Sequence, residues 1–325
     1  MIDPENFIKS LFSLRQEDFQ EAALELFHFQ WSTNATYRQF CDHLGRTPKN
    51  VKRLTDIPFL PIELFKSQKV VCGNWEPEKI YLSSGTTQKS RSKHFIKNNQ
   101  HYLDLARYTF EERFGPLNDL TIVALLPSYL EQGDSSLIAM IDHFIKHARP
   151  GSGYFLNQEH EIASVLKDPQ NGTVCLFGVT YALLDLAETL ETQLPNTFII
   201  ETGGMKGRRQ EITREDLHQI LNQKLAPTQI HSEYGMTELT SQGYSKGTNF
   251  TFPNWAQALI RDINDPFTYV ESPKTGGLNI IDLGNVHTCA FIETRDLGKI
   301  TEKEDFMVLG RYDNSDIRGC NLLVN

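Results

Sequence analysis

The chain has 325 residues, of which 39% are apolar and 22% charged, so it has the composition of a globular protein and not that of a disordered one. Its 41 acidic and 32 basic side chains give a net charge of -9, which opposes non-specific binding to nucleic acid and to anionic lipid. The apolar runs are strand-sized and the N-terminus lacks the features of a signal peptide, so the sequence predicts no membrane span and a cytoplasmic location.

The cysteines also predict a location in the reducing cytoplasm. The five cysteines are odd in number and form no C-x-x-C pair, which argues against a disulfide framework or a zinc knuckle. Four of them lie in helix-like or strand-like segments and are predicted to be packing residues: Cys41, Cys72, Cys175 and Cys289.

Apolar spacing predicts that the first seventy residues are mainly helical. A first helix is indicated by residues that recur at helical spacing, Phe19, Ala23, Leu26 and Phe27. A second is predicted through "YRQFCDHLG", with a stop at Gly45. Two prolines in "IPFLPIELFKSQ" then predict an extended, packed crossing segment up to Ile62.

Beyond the opening stretch the pattern is that of an α/β protein. Short apolar runs, "LTIVALL", "TVCLF", "TFIIE" and "TQIHS", are separated by helical patterns such as "SSLIAMIDHFIKHA" and "YALLDLAETLE". From about Asn249 the pattern changes to β segments divided by turns, "GGLNIIDLGN", "TCAFIETRDLGKI" and "DFMVLGRYDN". We therefore expect a sheet with helices followed by a small β-rich subregion.

One loop combines hydroxyl side chains, a glycine and positive charge. The stretch "YLSSGTTQKSRSKH" follows the predicted strand "EKIYL" and leads to the predicted helix "KNNQHYLDLARYTFEERF". Backbone N–H groups and hydroxyls in this loop can donate to phosphate oxygens, and a lysine can neutralise the phosphate charge. The candidate residues are Ser83, Ser84, Gly85, Thr86, Thr87 and Lys89. A polyphosphate fits such a loop, and a solvated turn of turn-forming residues is the alternative.

The familiar nucleotide and hydrolase motifs do not account for this loop. The sequence contains no G-x-x-x-x-G-K-[ST], no G-x-G-x-x-G after a strand and no G-x-S-x-G, and "HEIAS" lacks the last histidine of the H-E-x-x-H zinc pattern.

Four further segments follow the loop in order: "ETGGMKGRR", "SEYGMTELTSQGY", "ETRDLG" and "LGRYDNSDIRGCNLLVN". Their order and spacing resemble the core motifs of acyl-adenylate-forming enzymes. Within that superfamily the chain looks most like the acyl-protein synthetases of the LuxE type, because of "IPFLPIELFK", "SSGTTQKSRSKH", "ALLPSYLEQGDSSL", "TGGMKG" and "IRGCNLLV".

The resemblance implies the α/β fold of the large N-terminal domain of adenylate-forming enzymes, with layered β-sheets flanked by helices. The predicted organisation is a core domain over residues 1–312, whose helical N-terminal section covers about residues 1–70, and a short tail over 313–325. Typical members continue into a mobile C-terminal domain that supplies a catalytic lysine, which this chain is predicted to lack. Lys206 is a candidate substitute cation, and a solvated surface lysine is the alternative.

The resemblance also assigns ATP and Mg²⁺ as cofactors. The resemblance assigns the hydroxyl-rich loop to the β- and γ-phosphates. It assigns Tyr234 to stack on adenine, opposite the backbone of Gly203 and Gly204. Thr237 is assigned to the α-phosphate and Glu238 to Mg²⁺.

In the β-rich subregion, Asp296 is assigned to the ribose hydroxyls, with Arg311 nearby. Taken singly, these side chains have structural interpretations. Tyr234 could be a core or rim aromatic, Asp296 a turn or cap residue, and Glu238 a solvated helix residue. His94 and His231 are weaker candidates, for contact with a phosphate or with the substrate.

Cys320 is the predicted acyl carrier. In the acyl-protein synthetase family a cysteine near the C-terminus holds the acyl chain as a thioester before handing it to a reductase subunit, and Cys320 occupies the matching position. Nearby cations, Arg311 and Arg318, would favour its thiolate. A small buried residue is the alternative.

The predicted function is therefore an AMP-forming acid-thiol ligase that activates a fatty acid or another carboxylic acid as acyl-AMP. Cys320, Thr237 and Glu238 carry the chemistry in this prediction, and the expected partner is a fatty acid or acyl-CoA reductase. The alternatives are an acid-CoA or acid-carrier ligase, and a non-catalytic nucleotide-binding or acyl-binding subunit.

Overall fold

The computed structural model describes residues 2–84, 91–126, 133–156, 158–190, 192–203, 212–270, 272–301 and 305–312. The chain divides into two compact units, one formed by residues 1–74 with 254–325 and the other by residues 75–253. Several predicted residues lie outside the described ranges: Gly85, Thr86, Thr87, Lys89, Gly204, Lys206, Arg318 and Cys320.

Helices alternate with strands through most of the described chain. The helices are α1 (Pro4–Leu11), α2 (Phe19–Thr33), α3 (Ala35–His43), α4 (Leu64–Ser67), α5 (Asn99–Phe114), α6 (Ser136–His147), α7 (Glu159–Lys167), α8 (Thr180–Thr189) and α9 (Arg214–Leu225).

The strands are β1 (Leu60–Pro61), β2 (Lys79–Leu82), β3 (Lys93–Ile96), β4 (Leu120–Leu125), β5 (Gly153–Tyr154), β6 (Thr173–Val179), β7 (Thr197–Thr202), β8 (Gln229–Tyr234), β9 (Gly243–Lys246), β10 (Asn249–Thr251), β11 (Ala256–Arg261), β12 (Gly276–Asp282), β13 (Phe291–Ile300) and β14 (Phe306–Arg311).

The two helices predicted near the N-terminus are present as α2 and α3, and a further helix, α1, precedes them. Side-chain caps fix where α1 and α3 begin. The carboxylate of Asp3 accepts from the backbone N–H of Glu5 at the start of α1, and Asn34 caps α3 by accepting from Tyr37. The proline-rich segment that follows is extended, as predicted, and forms the short strand β1.

The unit formed by residues 1–74 and 254–325 is built on an antiparallel sheet. Its strands run in the order β11-β12-β13-β14, and β1 joins β13 in parallel register with Leu60 opposite Ile292. Aromatic rings from both parts of the sequence form the core, because Phe27 and Tyr37 pack against Phe291. The β-rich subregion predicted from about Asn249 is therefore present.

Buried polar contacts also hold this unit together. Arg261 at the end of β11 is 2% exposed and donates to Glu293 Oε1 and Thr294 O at 3.2 Å each, and to the Tyr312 hydroxyl. Its guanidinium lies over Gly277 of the neighbouring strand, where the absence of a Cβ leaves room for it.

The unit formed by residues 75–253 has a mainly parallel sheet. Its strands run in the order β5-β4-β6-β7-β8-β9-β10, parallel from β5 to β8 and antiparallel from β8 onward. Strands β4, β6 and β7 are almost wholly buried, as continuous apolar runs in a helix-covered parallel sheet should be. Helices α5 and α6 pack on each other, and so do α8 and α9.

The structure corrects one local expectation in this unit. The loop that begins at Ser83 does not lead directly into a helix, because β3 intervenes and pairs antiparallel with β2, with Tyr81 opposite His94. Residues alternate in burial along β3, with His94 and Ile96 buried. This alternation spans only four residues, so the period-2 pattern was too short to stand out in the sequence.

The described residues also bear on the cysteines and on membrane-spanning helices. The four cysteines described are free and buried, as predicted for packing residues. Within the described ranges, no helix has both the length and the apolar character that a membrane span requires.

Candidate functional site

The candidate site in the unit of residues 75–253 lies at one edge of its sheet. Strands β4, β6, β7 and β8 are parallel, so their carboxyl ends meet at the same edge, where ligands bind in open α/β sheets. Thr180 follows β6, Gly203 follows β7, and Gly235 follows β8. Two of the predicted motifs, those that contain Gly203 and Gly235, therefore converge at this edge.

Gly203 is set up for a backbone conformation that other residues rarely adopt. Its φ of +71° lies in the left-handed region, which favours glycine. The Thr180 hydroxyl lies 3.2 Å from Gly203 O and 3.3 Å from Glu201 Oε2, so it can donate to either. The turn after β7 is thereby joined to the first turn of α8.

Glu201 is the first of two carboxylates at the ends of adjacent strands. It is 5% exposed and accepts from the Arg214 guanidinium, whose Nε lies 3.3 Å from Oε1. Arg214 also lies over the Phe250 ring, 4.8 Å from its centroid. Glu201 is thus a paired charge that ties β7 to α9.

Glu233 is the second carboxylate, next to the last residue of β8. It accepts a short hydrogen bond from the Thr202 hydroxyl of β7. Loss of hydration raises the pKa of Glu233 to about 7, although the Thr202 hydrogen bond lowers it, and the Glu201 charge raises it further. This carboxyl therefore titrates close to neutrality.

Tyr234 ends β8 and is largely buried, 8% exposed. Its ring centroid lies 5.9 Å from that of Phe250 and 6.2 Å from that of Phe252, so it belongs to an aromatic cluster with strand β10 and the residues after it. The structural interpretation as a rim aromatic and the predicted contact with adenine both agree with this position.

Thr237 and Glu238 lie in the turn that follows β8. Glu238 is 4% exposed and lies in a turn, so the alternative of a solvated helix residue is wrong. The turn begins at Gly235, where an added Cβ would overlap Glu233 Oε1. Glycine at this position lets the Glu233 carboxyl fold against the turn.

His94 links the hydroxyl-rich loop to this turn. It is 1% exposed, and its Nδ1 donates to Thr237 O at 2.7 Å, so the ring tautomer carries a proton on Nδ1. His94 acts on the backbone of the Y-G-M-T-E motif from strand β3. The sequence placed it near the site but not in this role.

The start of the hydroxyl-rich loop is held by its own hairpin. Ser83 N donates to Ser92 O at 3.1 Å, and Ser92 N donates to Ser83 Oγ at 2.9 Å. Arg91 donates to Ser83 O and forms an ion pair of 3.0 Å with Asp134. Ser84, the last described residue before the gap, is exposed.

His231 does not belong to the site surface. Its Nδ1 donates to Ser245 O at 2.6 Å, its Nε2 lies 2.9 Å from Gln229 Oε1, and its ring packs on Phe114. Burial lowers the pKa of His231 below its usual value. These contacts make His231 a packing residue of the sheet.

Asp296 and Arg311 lie in the other unit, as cross-strand partners in β13 and β14. Arg311 Nε lies 3.2 Å from Asp296 Oδ1, and Asp296 N donates to Thr294 Oγ1 at 3.1 Å. Asp296 is 6% exposed, whereas the Arg311 side chain is 71% exposed. The predicted proximity of these two residues is therefore present.

The donor chemistry of the site fits Mg²⁺ bound with a nucleotide. Among the described residues, no three His, Cys, Asp or Glu side chains come together as a metal cage. Mg²⁺ in phosphate sites commonly uses one or two carboxylates together with phosphate oxygens, so Glu238 supplies a donor of the right kind.

Sequence comparison finds a related protein but no matching family. No protein-family model matches the chain. The chain is 24% identical to the long-chain-fatty-acid–luciferin-component ligase of Vibrio harveyi over an alignment 329 positions long, which covers 91% of this chain and 84% of that ligase.

Among solved structures, 2-hydroxyisobutyryl-CoA ligase in complex with R3-HIB-AMP superposes with a TM-score of 0.69 and 13% identity, over 92% of this chain and 68% of the ligase. The chain has the fold of the acyl-adenylate-forming superfamily. ATP-bound MatB from Rhodopseudomonas palustris matches with a TM-score of 0.56 and 16% identity, over 84% of this chain and 56% of MatB. The resemblance and the fold class predicted from the motifs are confirmed.

Sequence reasoning missed several residues that the structure brings to this edge: Arg91, Thr180, Glu201, Thr202, Arg214 and Glu233. The two glutamates carried a signal, because each sits at the end of an apolar strand pattern, in "TFIIE" and "QIHSEY". A charge at the carboxyl end of a buried parallel strand indicates a site.

Proposed function

We propose that this protein is an ATP-dependent, AMP-forming acid-thiol ligase. It activates a fatty acid as acyl-AMP and transfers the acyl group to its own Cys320 as a thioester, for delivery to a reductase or another acceptor. A cytoplasmic location and the predicted core and tail, residues 1–312 and 313–325, belong to this proposal.

The observation that carries the proposal is the convergence of motifs at the carboxyl edge of the parallel sheet. Gly203, Tyr234, Thr237 and Glu238 follow adjacent strands there, and His94 joins their turn to the hairpin that begins the hydroxyl-rich loop. The names of the related proteins support it, because they describe a fatty-acid ligase, a CoA ligase in complex with R3-HIB-AMP, and ATP-bound MatB.

In the first step, a carboxylate oxygen of the acid attacks the α-phosphorus of ATP. A new phosphorus–oxygen bond forms, the bond to the β-phosphate oxygen breaks, and pyrophosphate leaves with that electron pair. Hydroxyls and backbone N–H groups of the loop from Ser83 to Lys89 are assigned to the β- and γ-phosphates, and Thr237 to the α-phosphate. When bound, Mg²⁺ supplies charge neutralisation on the phosphates, and Glu238 is its proposed ligand.

Asp296 and Arg311 keep the role that the motifs predict for them, at the ribose. The carboxylate accepts from Arg311 Nε, and carboxylate oxygens are acceptors for hydroxyl groups such as those of a ribose. Adenine is assigned to Tyr234 with the backbone of Gly203 and Gly204.

In the second step, the Cys320 thiolate attacks the carbonyl carbon of acyl-AMP. The carbon–sulfur bond forms, the bond to the phosphate oxygen breaks, and AMP leaves. The four cysteines in the described ranges are buried, and burial raises the pKa of each thiol, to about 12 for Cys41 and Cys72. That supports Cys320, the fifth cysteine, as the acceptor.

The test is intact-protein mass spectrometry after incubation with ATP, Mg²⁺ and a panel of short to long fatty acids. We expect an adduct of acyl mass that neutral hydroxylamine removes and that Cys320→Ser abolishes. Asn321→Ala, next to the thiol in sequence, is the matched control and should keep the adduct. Pyrophosphate exchange measured in parallel should survive Cys320→Ser, since activation precedes transfer.

Two other results would select the alternatives. A thioester on added CoA that is unaffected by Cys320→Ser would identify an acid-CoA ligase. Nucleotide binding without pyrophosphate exchange for any acid would identify a non-catalytic binding subunit.

A further inference from the structure

Glu233 is a carboxyl group that none of the predicted roles uses. It lies at the carboxyl edge of the parallel sheet, next to Tyr234 and two residues before the turn that carries Thr237 and Glu238. Its Oε1 lies so close to the Gly235 Cα that an added Cβ would overlap it. The carboxyl therefore forms part of the wall of this turn, and the residue keeps partial exposure to solvent.

Within the described ranges, the groups around Glu233 include no cation that would compensate its negative charge. Thr202 donates one hydrogen bond from β7. The ionisable groups that interact with it among the described residues are Glu201 on β7, Tyr102 on α5 and Tyr244 on β9, and none of these is a cation. In the same ranges, no lysine, arginine or histidine forms an ion pair with it.

Tyr244 adds a second polar group on the same side. It is the residue opposite Glu233 in the β8–β9 pair, so the two side chains share a face of the sheet. Its hydroxyl is buried and has no hydrogen-bond partner among the described residues. This hydroxyl, on the same sheet face as Glu233, is hydrogen-bonding capacity that the described residues do not use.

The proposed reaction brings a further negative charge to this place. The acid reacts as its carboxylate with the α-phosphate that is assigned to Thr237, four residues after Glu233. Like charges in a poorly hydrated site disfavour ionisation, so an ionised Glu233 and a bound carboxylate oppose each other. A protonated Glu233 removes this repulsion and can donate to the carboxylate.

Resting on the proposed function, we propose that Glu233 faces the substrate carboxylate and that the protein takes up one proton at Glu233 when the acid binds. The proton comes from solvent and returns to it when the acyl product leaves, so no bond other than O–H changes at this residue. Glu233 is then a specificity residue that favours carboxylate binding at or below neutral pH.

Linkage fixes the expected pH dependence. The free carboxyl has a pKa of about 7, and binding of the acid raises it further, so affinity for the acid is constant below that pH and falls above it. The KM for the acid should rise by up to about tenfold per pH unit above neutrality, the limit for uptake of one proton.

The experiment has two parts on the full chain. In the first, the Glu233 carboxyl carbon is assigned in ¹³C NMR spectra by its absence from Glu233→Gln, and it is titrated in the free protein. In the second, pyrophosphate exchange is measured with tetradecanoate varied at several pH values in the wild type and in Glu233→Gln. We expect a titration near neutrality and a KM that rises with pH in the wild type and is flat in the variant.

Two further variants separate this role from a structural one. Thr202→Val removes a hydrogen bond that lowers the pKa of Glu233, so the rise of KM should begin at higher pH than in the wild type. Glu112→Gln on the exposed side of α5 is the matched control and should leave the profile unchanged. A merely structural defect would change kcat or the melting temperature without moving the pH at which KM rises.

Three results would overturn the inference. Titration of Glu233 near the ordinary glutamate pKa would contradict the premise that its carboxyl can be protonated near neutral pH. A KM profile that rises with pH equally steeply in Glu233→Gln would show that Glu233 does not take up the proton. If no acid in a panel supports exchange, the proposed function fails and the substrate-facing role fails with it. A free-protein titration near neutrality would then show that the function, and not the environment of Glu233, was misassigned.

Discussion

The contact between His94 and Thr237 is a single hydrogen bond that joins two motifs far apart in the sequence. The imidazole is buried in β3, and the carbonyl it binds precedes the peptide N–H of Glu238. A fixed peptide plane at this point fixes the direction of the N–H groups and side chains that would face phosphate oxygens. His94 is therefore expected to be a positioning residue, because it acts through the turn.

We predict that His94→Ala lowers kcat/KM for pyrophosphate exchange by about 10- to 100-fold, since loss of one buried hydrogen bond costs about 1–3 kcal/mol. His94→Asn places an amide donor near the position of Nδ1 and should keep activity within a few-fold of the wild type. The measurement is steady-state exchange at varied ATP for both variants. Equal losses in the alanine and asparagine variants would mean that the hydrogen bond does not matter.

The motifs predict site residues but not the contacts between them. Tyr234, Thr237, Glu238, Asp296 and Arg311 were named because motifs place them in a fixed order. The pairing of His94 with Thr237 joins residues 143 positions apart, so no local pattern could reveal it. The same holds for Thr202 and Glu233, whose partnership depends on the register of two parallel strands.

At the scale of elements, close packing of β11 against β12 depends on a glycine. Arg261 crosses Gly277 to reach Glu293 and Thr294, and an added methyl group would overlap its guanidinium. Because those hydrogen bonds are buried, the guanidinium cannot move aside without leaving polar groups unpaired.

We predict that Gly277→Ala destabilises the protein by about 1–3 kcal/mol through overpacking. Gly153→Ala in β5 is the matched control, since a Cβ there would make only an ordinary contact of 3.5 Å with the Phe155 ring. The free energy of unfolding in urea checks both variants, and a Gly277→Ala protein as stable as the wild type would contradict the role of this glycine.

Most elements of regular structure could be predicted, because they carry long periodic patterns. Helices α6 and α8 and strands β6 and β7 follow apolar runs of the expected length. Strand β3 was missed because four residues give too few repeats. Strand β1 has two residues, and it exists only through its pairing with β13, far along the chain.

At the scale of the whole molecule, the division into units could not be predicted from the sequence. One unit is continuous, whereas the other combines residues 1–74 with 254–325. The N-terminal helices were expected to be a section of one core domain. Their grouping with the β-rich subregion follows from contacts such as Gln30 Nε2 to Asn285 O at 2.8 Å, which no sequence period announces.

Three histidines with lowered pKa values are expected to weaken the fold in acid. Burial lowers the pKa of His218 to about 4, and it also lowers the pKa values of His143 and His231. Each is a base whose pKa in the folded state is depressed. The stability it contributes is therefore present above the ordinary histidine pKa and is lost as pH falls towards the folded value.

We predict that the urea midpoint falls as pH is lowered below about 6.5, because protonation of His218 opposes the folded state. His218→Gln should flatten this slope while keeping an amide near Ser232 Oγ, which lies 3.2 Å from Nε2. His43, an exposed histidine on α3, gives the matched control His43→Gln. An unchanged slope in His218→Gln would show that another group controls acid unfolding.

The burial of the described cysteines gives the protein a built-in selectivity towards thiol reagents. Cys41, Cys72, Cys175 and Cys289 are shielded and kept protonated in the folded chain. Fast alkylation under native conditions can then report on the one remaining thiol, Cys320. In the wild-type protein, the fraction of Cys320 that carries an acyl group can then be measured as the loss of alkylation at this one thiol. The return of alkylation gives the rate at which an acceptor removes the acyl group.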